Sequence, residues 1–448
     1  MFELNANVTA WVTHVKDKLK LTEAESSALE KDVAERVKYW VETGLSEEEA
    51  FAVAIKRLVK ERGYVLISQE PVSWKALSVK AKETIKETNK VRAILMVILF
   101  SLIAGTLSKI PEWFFMPEGG WSAAYEMLIF KNITLWVLPL VALYLLIQHR
   151  CSRKMTLILM GLFALTFILI NVYPYGGVRN TEILSGLHVP LLSWLFIGVA
   201  YLGDEWKISR RRMDFIRFTG EAFIYGVLIF CGLMVLSLFI FLIFSSINVD
   251  PSEFVTKYLL VYGSYATVLV TIYQVEKKNL MENFAPILAK IFSPLFLIAL
   301  MVFLVAIAVT GRNPLVDRNY LIGFDAMLIL VLALVLYTLS SRKEDEKPGL
   351  FDWLSVALIV VALVIDAIAL VEIVIRLSTM ITPNKMAALG ENVLVLVNLA
   401  GLAFFYVKVI LKKGRFEALE KFQTDYLLVY AVWLAIVAFL FPLFFLFQ

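Results

Sequence analysis

The stretch at residues 354–377, LSVALIVVALVIDAIALVEIVIRL, decides the fold. Its apolar residues run around every face instead of along one stripe. A helix built from them has no side to turn toward water, so it belongs in a core or a membrane. At 1.5 Å rise per residue, about 20 such residues cross the hydrocarbon of a bilayer.

Comparable runs repeat on both sides of it. The chain has 448 residues, 60% hydrophobic and 18% charged, whereas soluble domains hold about 45–50% apolar and about 25% charged residues. From Ala93 onward, apolar runs alternate with short polar breaks. Eleven candidate spans result: 93–108, 133–147, 155–171, 190–202, 222–245, 254–274, 286–309, 321–340, 353–376, 391–411 and 425–446. The second and fourth are short. The expected fold class is all-α, a polytopic membrane helical bundle of about eleven transmembrane helices with a small N-terminal cytoplasmic helical domain.

Loop charge sets the expected orientation. The loops 148–154, 203–221, 275–290, 341–352 and 408–424 hold nineteen Lys and Arg, against six in 109–132, 171–189, 246–253, 310–320 and 377–390. Basic loops stay in the cytoplasm, which puts the N-terminus inside a plasma membrane and Gln448 outside. Trp113, Phe114, Phe115, Trp121, Tyr173 and Tyr175 then fall at the outer interface, where such rings prefer to lie.

The first 92 residues differ in kind, with 16 Lys and Arg and 15 Asp and Glu. Val8, Trp11, Val12, Val15 and Leu19 recur at helical spacing, as do Leu29, Val33, Val37, Trp40 and Val41, and Phe51, Ala54, Ile55, Leu58 and Val59. Thr22 with Glu25 and Ser46 with Glu49 are capping boxes, and Gly44 and Gly63 are helix stops. A fourth helix, from about Ser73, runs toward the first span. The expected division is 1–70 as a cytoplasmic prefix domain, 71–92 as a basic juxtamembrane helix and 93–448 as the transmembrane domain. Lys75, Lys80, Lys82, Lys86, Lys90 and Arg92 would attract anionic lipid, at about 1 kcal/mol each near the surface.

The stretch VETGLSEEEA at 41–50, followed by Ala54, resembles the short helical prefix domain that precedes many bacterial permeases and signalling membrane proteins. The segment RLSTMITPNK at 376–385 resembles an element of the bacterial membrane family called domain of unknown function 4153. Ile381, Thr382, Pro383 and Asn384 fit, Lys385 replaces an arginine, and Met380 stands where glycine is usual. The resemblance extends loosely over 194–408 and implies a multi-pass membrane fold without a known activity. Thr382 as a cap and Pro383 at the first helical position also make a well-formed turn in their own right.

Ionisable groups inside a span are expensive, so they mark function or partnership. Asp366 lies deep in its run with no cation one turn away. Glu372 and Arg376 are four apart and share a face. Asn398 sits at similar depth in the returning span. Asp366, Glu372, Arg376 and Asn398 are the candidate substrate- or ion-binding residues. The alternatives are an intrahelical Glu372–Arg376 pair and an interhelical amide bond at Asn398. Asp325 reads as interfacial.

A net charge of +4 gives no nucleic-acid footprint. Cys151 and Cys231 lie far apart in sequence and imply no disulfide. His14, His149 and His188 are too scattered for a metal cluster. No phosphate-binding lysine loop, dinucleotide fingerprint or nucleophile elbow occurs. No catalytic residue, metal or cofactor is assigned, and the chain is not expected to be an enzyme. Three functions remain. One is a permease or flippase-like transporter with a regulatory prefix domain. Another is a non-transporting sensor or scaffold whose prefix domain binds a cytoplasmic partner. The third is a membrane enzyme acting on a lipid-linked substrate through Glu112, Glu118 or Glu182.

Overall fold

The computed structural model describes residues 4–62, 74–115, 122–177, 179–246, 249–277, 285–310, 318–340, 342 and 349–448. They form two compact units, Met1–Met96 and Val97–Gln448.

The first unit contains α1 (Leu4–Leu19), α2 (Glu23–Glu42) and α3 (Glu47–Arg62). Both capping boxes form. Glu25 N donates to Thr22 Oγ1 at 3.4 Å while Thr22 N donates to Glu25 Oε2 at 2.9 Å. Glu49 N and Ser46 N repeat the exchange at 3.4 and 3.1 Å. Gly44, at φ 100°, turns the chain out of α2; Gly63 lies outside the described residues. Val8, Val12, Val15, Leu29, Val33, Val37, Ile55 and Leu58 close a core of their own. Trp40 is only partly buried and Val41 is exposed at its edge.

α4 (Trp74–Phe115) is one continuous helix of 42 residues through Pro111. It therefore carries Trp113 to Phe115 on a helix, where the sequence suggested a loop. α5 (Ala123–Asn132), α6 (Leu138–Gln148), α7 (Arg153–Val172), α8 (Asn180–Leu202) and α9 (Ser209–Ser246) follow. Next come α10 (Ser252–Lys277), α11 (Ala285–Thr310), α12 (Arg318–Ser340), α13 (Leu350–Thr379), α14 (Pro383–Ile410) and α15 (Phe416–Phe444).

Among the described residues, nine helices are long and apolar enough to cross a membrane, and Leu138–Gln148 and Asp325–Ser340 are shorter apolar helices. The chain is a multi-pass membrane protein built as a helical bundle. Two expected spans change shape. The short run 190–202 belongs to a helix that begins at Asn180 and passes through Pro190. The run 133–147 is divided: α5 ends at Asn132, turns occupy 133–137, and α6 restarts at Leu138. With 11 residues, α6 covers only about 16 Å at 1.5 Å per residue.

The membrane core runs along α11 to α15. Leu300, Leu328, Val331, Val335, Ile359, Ala362, Ile365, Leu399, Leu402 and Leu419 are buried in it. On α13 the fully buried positions Leu358, Ala362, Ile365, Asp366 and Ala369 recur at three- and four-residue steps, so one seam faces inward. α15 packs flat on α14, because a Cβ on Gly390 would lie 1.9 Å from Trp433, and one on Gly401 2.1 Å from Phe422.

One end of the bundle is tied by charges. Arg212 pairs with Asp425, Arg210 with Glu420 at 3.3 Å, and Arg342 with Asp352 at 2.5 Å. Tyr406 donates to the same Asp352 at 2.8 Å. At the opposite end, Gly176 N and Thr181 N donate to the carbonyls of Phe447 and Gln448. Asn384 donates to Asn180 at 3.0 Å. Thr382 caps α14, and Lys385 Nζ donates to the Arg376 carbonyl at 2.7 Å, closing the turn from α13.

Candidate functional site

Asp366 is 0% exposed, and among the described residues neither carboxylate oxygen has a hydrogen-bond partner. The seam of α13 holds it among Ile365, Ala362 and Ala369, all equally buried. An unpaired carboxylate in such surroundings costs several kcal/mol, so the group must be neutralised by a bound proton or cation. The groups that act on it are Asp325 of α12 and Tyr430 of α15. Oδ1 of Asp325 and the Tyr430 hydroxyl are likewise buried and unpartnered.

The polar tract continues across α14 to α8. Asn392 and Glu391 of α14 both act on Asp325. Asn392 is 3% exposed and donates to the Ala388 carbonyl at 2.9 Å. Glu391 Oε1 lies 2.7 Å from His188 Nε2. His188 Nδ1 is 2.8 Å from the Leu184 carbonyl. The imidazole thus bridges a backbone carbonyl of its own helix and a carboxylate of α14, with the tautomer setting which nitrogen donates. Asp366, Asp325, Glu391 and His188, on four helices, are thus neighbours in one polar region, of which only Glu391 and His188 are in hydrogen-bond contact.

α8 extends this polarity along its own length. Glu182, 6% exposed, takes Lys131 of α5 at 3.1 Å. Asn132 and Asn171 exchange amide hydrogen bonds at 2.9 and 2.8 Å beside the α5–α6 break. Ser185 donates to the Ala438 carbonyl at 2.8 Å. That carbonyl belongs to the residue four before Pro442, which has no N–H to offer it. The same stretch of α15, Ile436–Leu440, is widened into a π-helical turn, a form that recurs at functional sites.

The other candidates separate from Asp366. Asn398 and Gln423 are both 0% exposed and exchange amide bonds at 3.2 and 3.4 Å, which joins α14 to α15. Glu372 and Arg376 are half-buried near the end of α13, six and ten residues beyond Asp366, and each has interactions of its own. Of the acids considered for an enzyme, Glu112 is paired with Lys109 at 2.6 Å and Glu182 with Lys131, while Glu118 lies outside the described residues. Among the described residues no group of three or more His, Cys, Asp and Glu could hold a metal ion. Both cysteines are free.

Asp325, Glu391 and His188 went unread as site residues. His188 falls in a stretch taken for an outer loop. The available signal was the spacing Thr181, Ser185, His188, which is one face of a helix. No family model, curated protein or solved structure matches the chain.

Proposed function

We propose that the chain is a proton-coupled permease or flippase-like transporter of the cell membrane, with Asp366 as the coupling site. The observation that carries this reading is a fully buried carboxylate whose oxygens have no hydrogen-bond partner among the described residues, near a second acid and a His–Glu pair. A dry, purely structural bundle gains nothing from such a group, whereas a proton relay requires one. The interrupted α5–α6 segment, flanked by the buried Lys131–Glu182 pair, supports the same reading, because discontinuous helices line the sites of many transporters. The basic loops orient the N-terminus toward the cytoplasm, and Lys75, Lys80, Lys82, Lys86, Lys90 and Arg92 hold anionic lipid there. The resemblance of residues 376–385 to an uncharacterised family adds no chemistry.

The test is proton uptake by proteoliposomes under an imposed potential, read with an internal pH dye. The wild type is expected to acidify the lumen, and Asp366→Asn and Asp325→Asn to reduce the rate at least tenfold. Equal rates in wild type and Asp366→Asn would remove Asp366 from the mechanism.

A second reading, a sensor whose prefix domain binds a cytoplasmic protein, is favoured by one feature. A cavity of about 580 Å³ opens on the first unit between α1 and α2, lined by Leu4, Val8, Ala34, Val37 and Val41 among others. If removal of residues 1–62 leaves proton uptake intact, the prefix domain is regulatory; if uptake is absent from both forms, the sensor reading takes over.

A further inference from the structure

A cavity of about 750 Å³ opens at the charge-tied end of the bundle, where α8, α9 and α10 meet the turn after α6. Five carboxylates line it, Asp204, Glu205, Asp214, Glu221 and Glu276, against Arg211, Arg217 and His149. Arg211 is committed to Glu205 and, at 3.6 Å, to Asp214, and His149 lies 3.3 Å from Glu276. With His149 protonated, acids exceed bases by two. One oxygen of Glu276 is buried and, among the described residues, has no hydrogen-bond partner.

A second cavity of about 560 Å³ lies along the same three helices, lined by Trp194 of α8, Phe223, Gly226, Val227 and Phe230 of α9, and Thr271 of α10; its wall adjoins the first at Phe218–Thr219 and Glu221–Ala222. On α9 the wall passes from Arg211, Asp214, Arg217 and Glu221 to the adjacent Ala222 and on to Gly226 and Phe230, at steps of three or four residues on either side of that junction, so one face of one helix is charged at its start and apolar beyond. Phe223 and Val227 remain exposed in the hydrocarbon zone. A Cβ on Gly226 would meet Thr271 Oγ1 at 3.7 Å, an ordinary contact, so Thr271 forms the floor of the groove there. Thr271 is 3% exposed, and its hydroxyl has no hydrogen-bond partner among the described residues.

From this geometry we infer that the paired cavities hold one phospholipid with an ammonium-bearing head group. The acid-rich cavity takes the ammonium, and an acyl chain fills the groove between α9 and α10. Apolar surface alone would accept any lipid; the surplus of carboxylates selects the head group. The inference is independent of proton coupling, and Asp366 is not part of it.

The test is native mass spectrometry of the full chain released from micelles carrying equal phosphatidylethanolamine and phosphatidylglycerol, with soluble phosphoethanolamine as a separate probe. Val227→Trp blocks the groove from an exposed position, and Glu276→Gln with Asp214→Asn removes head-group charge. Both are expected to lower retained phosphatidylethanolamine at least fivefold and leave phosphatidylglycerol, which adheres elsewhere, unchanged. Melting temperatures within a few degrees of wild type show that the fold persists; a variant that fails this check is replaced by Gly226→Leu. Unchanged phosphatidylethanolamine in both variants, equal loss of both lipids, or equally tight binding of soluble phosphoethanolamine would overturn the assignment.

Discussion

Asp366 works against the fold it belongs to. Its side chain fills a core position between Ala362 and Ala369 without a hydrogen bond. An apolar residue of similar size satisfies that position better, so Asp366→Leu is expected to raise the melting temperature in detergent, by about 1–3 kcal/mol of stability, while abolishing proton uptake. A variant that is both less stable and inactive would mark Asp366 as structural. His149 behaves differently. A hydrogen bond from its imidazole to Glu276 raises it above the ordinary histidine value of 6.5. A raised folded-state value means that the contribution is complete below about 6.5 and is lost as pH climbs through the elevated value. Thermal stability should fall on that alkaline side in the wild type and be flatter in His149→Gln, as checked by melting curves across pH 6–9. Asp366 was legible in the sequence because a lone acid interrupts a long apolar run. Its partners were not, because Asp325, Glu391 and His188 lie on three other helices and nothing in local spacing shows which helices meet.

Individual elements carry their own tests. α14 presents Gly390 and Gly401 to aromatic rings of α15, with no room for even a methyl group at either site. Gly390→Ala is expected to destabilise the bundle by about 1–3 kcal/mol through overpacking, seen as a lower melting temperature; an unchanged value would show that α15 can shift freely. Ser185→Ala leaves the Ala438 carbonyl of α15 without its donor and should cost about 1–3 kcal/mol. The helix caps at Thr22, Ser46 and Thr382 were readable from a few residues, because a cap is a local hydrogen-bond pattern. The length of α8 was not, since Glu182 and His188 look like loop residues until burial supplies their partners, and Pro190 looks like a helix start. The break between α5 and α6 was equally hidden, because residues 133–147 are uniformly apolar and hydropathy does not register a turn.

For the whole molecule, hydropathy gave the membrane bundle directly, because hydrocarbon imposes its demand on every residue of a span. Span ends came out less well: among the described residues, nine long helices and two shorter ones stand beside the eleven runs that were read. The proposed orientation predicts that a protease tag before Met1 is protected in right-side-out vesicles while one after Gln448 is cleaved, and reversed protection would refute it. The polar region from Asp366 to His188 matters most at this scale, since it draws on α13, α12, α14 and α8. Infrared difference spectroscopy of the full chain in lipid across a pH step tests it most directly. The account predicts a protonated-carboxyl band in the wild type that disappears in Asp366→Asn; identical difference spectra for the two proteins would contradict it.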